Sequence, residues 1–226
     1  HNPVSDKLSE ELISRLGKDH PEIAGIKSAE GNWLEIIKLA DEVSGDLIVL
    51  DHPLYREIQP LLAQSEQEAC DHGECDVLVV QTSGDAQDDR PQDYRHIVVA
   101  ADLNDQGLMT IYKAVRMAKR YQSRLTLLNI IDQRALTGEE TEETSKKMRL
   151  RGLEAFTAII EGIEVEKSVL VTKEPIEQAI GQFAQEQKAD LLVIGSHKHK
   201  GLCVILGKKA EKVTQQSHCD VLIVHE

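Results

Sequence analysis

The stretch that decides the fold is "DLLVIGSHKHKGLCVILGKKAEKVTQQSHCDVLIV", residues Asp190 to Val224. Apolar runs, "DLLVI" and "CDVLIV", stand at its two ends. Between them lie a polar turn that contains glycines and a segment that we expect to be helical from about Gly207. Near-continuous apolar strands joined by helices are typical of a parallel sheet with both faces covered. The stretch therefore predicts a strand, loop, helix and strand of an α/β fold.

The residues before this stretch continue the same alternation. "HIVVAA" from His96 and "RLTLLNII" from Arg124 predict two buried strands, and a further strand is predicted near Val165 to Val171. Apolar residues at helical spacing predict helices between them, at Leu108 to Ala118, at Met148 to Ile160 and, after Pro175, at Ile176 to Ala184. Five strands and four helices in alternation predict a doubly wound, Rossmann-like parallel sheet.

The chain also contains an internal repeat. "DLIVL" at Asp46 matches "DLLVI" at Asp190, and "CDVLVV" at Cys75 matches "CDVLIV" at Cys219, both at an offset of 144 residues. The same offset places His1 on Ser145, so the first copy begins at the second helix of the unit. We therefore expect residues 1–82 to be a partial first repeat that lacks the first strand, the first helix and the second strand, completed by upstream residues or by another chain. Residues 83–94 are interpreted as a linker, and residues 95–226 as a complete second domain.

Composition narrows the class of protein. The formal net charge of −13 disfavours nucleic-acid binding, because phosphate contacts need a clustered basic surface. No apolar stretch approaches the roughly 20 residues of a membrane-spanning helix, so no membrane partner is expected. Four cysteines are too few for a disulfide scaffold of 226 residues, which favours a cytoplasmic location.

The turn after Ile194 is the candidate ligand site. In open α/β sheets, ligands bind outside the carboxyl ends of the strands, here the loops after Ala101 and Ile194. Gly195 would let the chain leave the strand, Gly201 would permit close backbone approach, and Gly207 would open the last helix. A positive charge at a helix start is unfavourable unless an anion lies nearby. The turn and helix form the main cationic segment of this acidic chain, with lysines at Lys198, Lys200, Lys208, Lys209 and Lys212.

The alternative interpretation of this turn is a solvated surface loop. Two standard phosphate-binding signatures are absent from the sequence, since no GK[ST] motif is present and no GxGxxG follows a strand.

The stretch quoted first, together with "HIVVAADLN" and "RLTLLNII", resembles the universal stress protein family in its tandem form. The resemblance implies a fold like that of the adenine nucleotide alpha hydrolases, and a site for ATP or AMP, with Mg²⁺ only if a nucleotide binds. ATP-binding members carry GxxG, nine residues, then G[ST] after the fourth strand. Carried over, Asp102 matches the Asp after the first strand, and Ile130 or Ile131 the backbone that contacts adenine. Gly195 and Gly207 match the first and third glycines, whereas Lys198 and Lys208 replace the second glycine and the Ser or Thr.

The resemblance also implies how the repeats differ and associate. The equivalent loop of the first repeat, "DHPLYREIQPLLAQS", retains no glycine, and Asp51 would repel phosphate, so we interpret that half as structural. The final strands of the two repeats, "CDVLVV" and "CDVLIV", are expected to pair as an intramolecular pseudo-dimer or across chains as a homodimer.

Three functions follow as hypotheses. The first is a stress-response or regulatory protein with a nucleotide or anion site in the second domain. The second is a dimeric protein-interaction module that binds no nucleotide, and the third is a slow nucleotide hydrolase. The spacing of the residues assembles no nucleophile with a paired base, so no catalytic residue is assigned and fast catalysis is not expected.

Other candidate residues have structural interpretations. "CDHGEC" supplies Cys70, His72 and Cys75, which could ligate zinc but lack an evident fourth ligand. Asp102 could hold Mg²⁺ or a ribose, or could simply cap the following helix. The remaining candidates are interpreted as lone surface histidines, which are His197, His199 and His218, and as a core tryptophan, Trp33.

Overall fold

A computed structural model describes residues 47–51, 76–81, 94–136, 141–158, 160–196 and 208–225 of the chain. These residues belong to two compact units. The first unit contributes strands β1 (Leu47–Asp51) and β2 (Asp76–Val80). The second unit contributes all described residues from Tyr94 onward.

The second unit alternates strands and helices throughout. Its strands are β3 (His96–Ala100), β4 (Arg124–Asp132), β5 (Val165–Thr172), β6 (Leu191–Ser196) and β7 (Asp220–His225). Its helices are α1 (Asp105–Tyr121), α2 (Glu142–Thr157), α3 (Ile176–Glu186) and α4 (Lys208–Gln216). Every pair of neighbouring strands is parallel, in the order β7-β6-β3-β4-β5. The prediction of a doubly wound five-stranded sheet is confirmed.

The core of this unit consists of the apolar runs that identified the strands. Ile97, Val98 and Val99 of β3 are fully buried, and so are Leu191, Leu192 and Val193 of β6. Strands this apolar can exist only between two helical layers, because neither face tolerates water. The central strands therefore form a rigid base for the loops that follow them.

Local sequence signals determine where the helices begin and end. Asn104 caps α1, since its side-chain oxygen accepts a hydrogen bond from the backbone N–H of Gly107 at 2.8 Å. Gln122 ends α1 in the left-handed conformation with φ 53°. Thr141 and Thr144 form a reciprocal capping box at the start of α2. Pro175 stands at the N-cap of α3 without a side-chain hydrogen bond, close to the position that the sequence indicated.

One predicted boundary was wrong by several residues. The helix expected over Met148 to Ile160 runs from Glu142 to Thr157, because the Thr141 capping box starts it earlier. Strand β6 continues beyond Ile194 through Gly195 to Ser196, which pair with Val224 and His225 of β7. The last helix begins at Lys208, within one residue of the start expected at about Gly207.

The strand pairs β1/β2 and β6/β7 have the same register at the 144-residue offset. Leu47 pairs with Asp76 in the first unit, and Leu191 pairs with Asp220 in the second. This identity supports the internal repeat, although the tandem organisation and its boundaries remain a prediction. Burial differs between the pairs, since Leu47 is 40% exposed and Leu191 is fully buried. Trp33 and the loop equivalent to the candidate site lie outside the described residues.

No helix in the described part of the chain combines the length and the apolar character needed to cross a membrane.

Candidate functional site

The strand order reverses direction between β3 and β6, and a ligand crevice is expected at this point. From β3 the chain proceeds through β4 to β5 on one side, and then returns to β6 and β7 on the other side. The direction of the crossovers therefore reverses between β3 and β6, and in open α/β sheets such a reversal marks the ligand crevice. Ala100 and Ile194 are the last residues paired between these two strands. The paired ends of β3 and β6 thus lie side by side at the carboxyl edge of the sheet.

Asp102 lies two residues after β3 and is exposed at this edge. The N-cap residue of α1 is Asn104, two residues later in the chain. The Asp102 backbone packs closely against the first turn of the helix, where a Cβ atom on Gly107 would overlap the Asp102 carbonyl oxygen. Glycine at position 107 thus permits the close approach of the Asp102 backbone to the start of α1.

Strand β4 extends beyond its partner β3 at the same edge. The register between them ends at Ala100 and Leu128, whereas β4 continues to Asp132 beside β5. Arg124 N–H donates to Arg95 O, and Leu128 O accepts from Ala101 N–H, so even-numbered residues of β4 direct their backbone groups towards β3. Leu125 N–H instead donates to Glu164 O, on the β5 side. The alternation of a parallel ladder therefore aims the N–H and C=O of Ile130 towards the crevice.

Of the two residues predicted to offer backbone contacts, Ile130 is thus the better placed. Ile131 directs its backbone groups towards β5, where it pairs with Val171, and its side chain is 6% exposed. Sequence reasoning left the choice between them open because the direction of a backbone group depends on the register.

Asn129, which sequence reasoning missed, is buried beside Ile130 and is 1% exposed. Its Nδ2 donates a hydrogen bond to Ala101 O at 2.9 Å, and its Oδ1 is a buried atom without a hydrogen-bond partner in the part of the chain that the structure describes. The available signal was one polar residue inside the apolar run "RLTLLNII". A buried amide in such a run needs an explanation, because burying a polar group without a partner is costly.

Helix α4 begins on the β6 side of the crevice. Lys208 is its first residue and Lys209 is exposed in its first turn, where the helix dipole favours an anion. The segment is less basic than the number of its lysines indicates. Glu211 lies in the same turn, and Lys212 Nζ forms an ion pair with Glu177 Oε1 of α3 at 2.8 Å. This hydrogen bond lowers the pKa of Glu177 and raises that of Lys212.

A further cation at the carboxyl edge is Arg134, which follows β4. Asp132 accepts hydrogen bonds from Arg134 Nε at 2.9 Å, from Nη2 at 2.8 Å and from the Arg134 backbone N–H at 2.9 Å. These bonds lower the pKa of the Asp132 carboxyl group. The paired Asp132 carboxylate orients the Arg134 guanidinium group and neutralises much of its charge. Arg134 is therefore a well-oriented group that adds little net positive potential.

Several predicted site residues lie outside the described residues. These are Lys198, Gly201 and Gly207, together with the zinc candidates Cys70, His72 and Cys75 and the histidines His197 and His199. Eight residues separate Lys198 from Gly207, one fewer than in the family motif. Within the described residues, no three His, Cys, Asp or Glu side chains come together as a metal site.

Known proteins resemble this chain over its second unit and, in some cases, over nearly all of it. The family model described as "Universal stress protein family" matches residues 93–225. A universal stress protein of Methanocaldococcus jannaschii is 30% identical over 151 residues, which cover 58% of this chain and 82% of that protein. The match to a universal stress protein structure from Archaeoglobus fulgidus DSM 4304 covers 100% of this chain and 80% of that chain, with a TM-score of 0.59 and 18% sequence identity. At this identity, the match supports the fold alone.

A universal stress protein solved in complex with cAMP is 28% identical, covers 59% of this chain and 98% of its own, and has a TM-score of 0.46. That ligand belongs to that protein, and the similarity of the two folds is too low to carry an argument. The family assignment depends on the family model, which spans more than half of the chain, and on the relative from M. jannaschii. The chain belongs to the universal stress protein family.

Proposed function

We propose that the second unit binds an adenine nucleotide, ATP or AMP, through its phosphates and its base, and that the protein acts as a nucleotide-responsive regulator. The observation that carries this proposal is the reversal of the crossover direction between β3 and β6, whose pairing ends at Ala100 and Ile194 at the carboxyl edge of the sheet. A fold of this kind binds its ligand at that point of the sheet.

The two walls of the crevice offer different chemistry. On the β6 side, the start of α4 and the exposed Lys209 attract phosphate. On the β4 side, the backbone N–H and C=O of Ile130 face the space beyond the end of β3, where a planar base can form two hydrogen bonds. Asp102 lies between them and can accept a hydrogen bond from a ribose hydroxyl group. If a metal accompanies the phosphates, Asp102 is also the described carboxylate best placed to bind Mg²⁺.

Lys198 and Lys208 replace residues of the nucleotide motif, and this affects the expected affinity. A lysine in place of glycine at position 198 restricts the approach of the backbone to phosphate, whereas Lys208 removes a hydroxyl group and adds a charge. We therefore expect AMP to bind at least as tightly as ATP. The double change Lys198→Gly and Lys208→Ser should shift the preference towards ATP.

The test is calorimetric titration of the full chain with ATP, AMP and sulfate. Lys209→Glu should weaken binding of both nucleotides about tenfold, because it reverses a charge at the start of α4. The matched control is Lys119→Glu, which makes the same charge change at an exposed residue in the last turn of α1, at the opposite end of the sheet. Absence of heat with every ligand, with the circular dichroism of a folded α/β protein, would overturn the proposal.

One observation favours a second function, that of a protein-interaction module. Leu108, Met109 and Tyr112 of α1 are 41%, 48% and 57% exposed, respectively, and Arg116 lies over the Tyr112 ring at 5.9 Å. Exposed apolar groups on one helix are a feature of interaction surfaces. A nucleotide-free protein whose partner binding is abolished by Tyr112→Glu would support this function in place of the first.

Pairing through the final strands of the repeats and a cytoplasmic location remain predictions that depend on the family resemblance and on composition.

A further inference from the structure

We infer that Asn129 is a specificity determinant of the proposed nucleotide site, and that its Oδ1 accepts a hydrogen bond from the 6-amino group of a purine base. This inference rests on the proposed function and names the ligand class more narrowly. It would make the site selective for a 6-amino purine over a 6-oxo purine.

The first step is the cost of leaving Oδ1 unpaired. Asn129 is 1% exposed, its Nδ2 is bound to Ala101 O, and its Oδ1 has no hydrogen-bond partner among the described residues. A buried amide oxygen without a partner costs free energy, and native proteins contain few such groups. Leucine, which is similar in size, would fit the apolar run of β4 without this cost. The amide is therefore available to a partner beyond the described residues, and we assign that partner to the ligand.

The second step is what the Nδ2 hydrogen bond does to the sheet. Ala101 N–H still donates to Leu128 O at 3.2 Å, as in a continuing ladder. A continuing parallel ladder would next direct Ala101 O to the N–H of Ile130. Instead, the Asn129 side chain occupies that carbonyl. Asn129 thus ends the pairing of β3 with β4 at Leu128 and leaves the backbone groups of Ile130 to face the crevice.

The third step is the pattern of hydrogen-bond groups that results. Ile130 offers one donor, its N–H, and one acceptor, its C=O. Asn129 Oδ1 adds a second acceptor beside them, since it is bonded to the same carbon as the Nδ2 that holds Ala101 O. The pairing edge of adenine carries a ring nitrogen that accepts and an amino group with two hydrogens. That edge can satisfy all three protein groups, whereas a 6-oxo purine presents an oxygen where two acceptors converge.

The experiment compares three ligands on the full chain by titration calorimetry: AMP, inosine monophosphate, which has a 6-oxo group, and purine riboside monophosphate, which has hydrogen at that position. The wild-type chain should bind AMP about tenfold more tightly than either analogue, because a buried acceptor left without its donor is penalised. Asn129→Leu should reduce this preference to about twofold or less, mainly by weakening AMP binding.

The matched control is Thr126→Val, which removes another buried polar side chain from the same strand. Thr126 lies near the amino end of β4, where it contacts His96 Nε2 at 2.8 Å. Its loss should change stability but leave the preference for AMP unchanged. A change in preference equal to that of Asn129→Leu would count against a local role for Asn129.

The outcomes separate the two proposals. If the wild-type chain binds no nucleotide, both fall. If it binds AMP and the analogues equally, or if Asn129→Leu keeps the full preference, the role of Asn129 is wrong while nucleotide binding stands. A crystal structure of the AMP complex in which only a buried water contacts Asn129 Oδ1 would also show that the role of Asn129 is wrong while nucleotide binding stands. Because the ligand series on the wild-type chain needs no variant, the inference remains testable if Asn129→Leu does not fold.

Discussion

The two ends of the same five-stranded sheet differ in how completely their polar groups are paired. At the amino end, the Asp190 carboxylate accepts hydrogen bonds from the backbone N–H of Arg95 at 2.9 Å and from that of His96 at 2.8 Å. The His96 ring lies between Gln187 O and Thr126 Oγ1, at 3.0 and 2.8 Å. At the carboxyl end, Asn129 Oδ1 has no hydrogen-bond partner among the described residues. The comparison teaches that the amino end holds the strands together through paired polar groups, whereas the carboxyl end leaves a buried acceptor available for the ligand that we propose.

Connections between distant elements produce the pairing at the amino end. Asp190 N–H donates in return to His96 O at 2.9 Å, so β3 and β6 are joined by side chain and backbone together. Arg124 Nη2 lies 2.9 Å from His96 Nδ1, and Arg124 also lies 3.7 Å from the Glu166 carboxylate on β5. Four elements of the unit therefore meet around one histidine. We expect substitutions here to change stability and leave ligand affinity unaffected.

The largest effect is expected from Gly107→Ala at the carboxyl end. The added Cβ would overlap the carbonyl oxygen of Asp102, so the loop after β3 has to shift. We expect a loss of about 3 kcal/mol in the free energy of unfolding, within the range for overpacking, together with weaker AMP binding. Chemical denaturation and calorimetry measure the two effects.

Gly181→Ala is the control for that change. Gly181 lies inside α3, and the nearest atoms to an added Cβ are 3.9 Å away, at Gln216. Alanine in a helix interior is better than glycine by about 0.5–1 kcal/mol, so this variant should equal or exceed the wild-type stability. Equal losses in the two variants would show that the position of Asp102 is not the cause.

A smaller effect is expected from Asp190→Ala at the amino end. The change removes a charged acceptor from two backbone N–H groups, and hydrogen bonds to charged groups contribute about 1.5–3 kcal/mol. We expect a loss of about 2 kcal/mol in the free energy of unfolding, with AMP affinity unchanged. Asp190→Asn keeps one acceptor oxygen and should lose less. A marked loss of affinity in a folded Asp190→Ala protein would remove the distinction between the two ends.

The smallest effect concerns the dependence of stability on pH. Burial lowers the pKa of His96 below its ordinary value of 6.5, helped by Arg124 and opposed by Gln187 O, Asp190 and Glu166. As pH falls through 6.5, the unfolded chain takes up a proton before the folded protein does. Stability contributed by neutral His96 is therefore present above pH 6.5 and decreases as pH falls towards the lower folded pKa.

The measurement is the free energy of unfolding between pH 7.5 and pH 5 for the wild-type chain and for His96→Gln. Subtracting the two profiles removes the contribution of the other histidines. The wild-type chain should lose more stability than the variant as the pH falls. Parallel profiles would show that His96 titrates alike in both states.

Local pattern was enough to predict the elements of the second unit. The apolar runs at His96, Arg124, Asp190 and Cys219 became β3, β4, β6 and β7, because a strand buried on both faces must be apolar along its length. The alternation with helical periodicity gave the parallel, doubly wound class, and the quoted motifs gave the family. These signals can be read from the sequence alone, since each depends on neighbours within a few residues.

The details of the candidate site could not be predicted in the same way. The N-cap residue of α1 is Asn104, and Lys212 is paired with Glu177, 35 residues earlier in the chain. Ile130 rather than Ile131 faces the crevice because of the register with β3. Each outcome depends on contacts between residues far apart in the chain, which periodicity does not encode.

The sequence by itself thus determined the family, the order of strands and helices along the chain, and the edge of the sheet at which we propose that a ligand binds. Only the tertiary structure decided which polar groups at that edge are already paired, and among the described residues it left Asn129 Oδ1 without a partner. The physical reason is that burial is a local property of a run of residues, whereas hydrogen-bond satisfaction is settled only when distant strands come together.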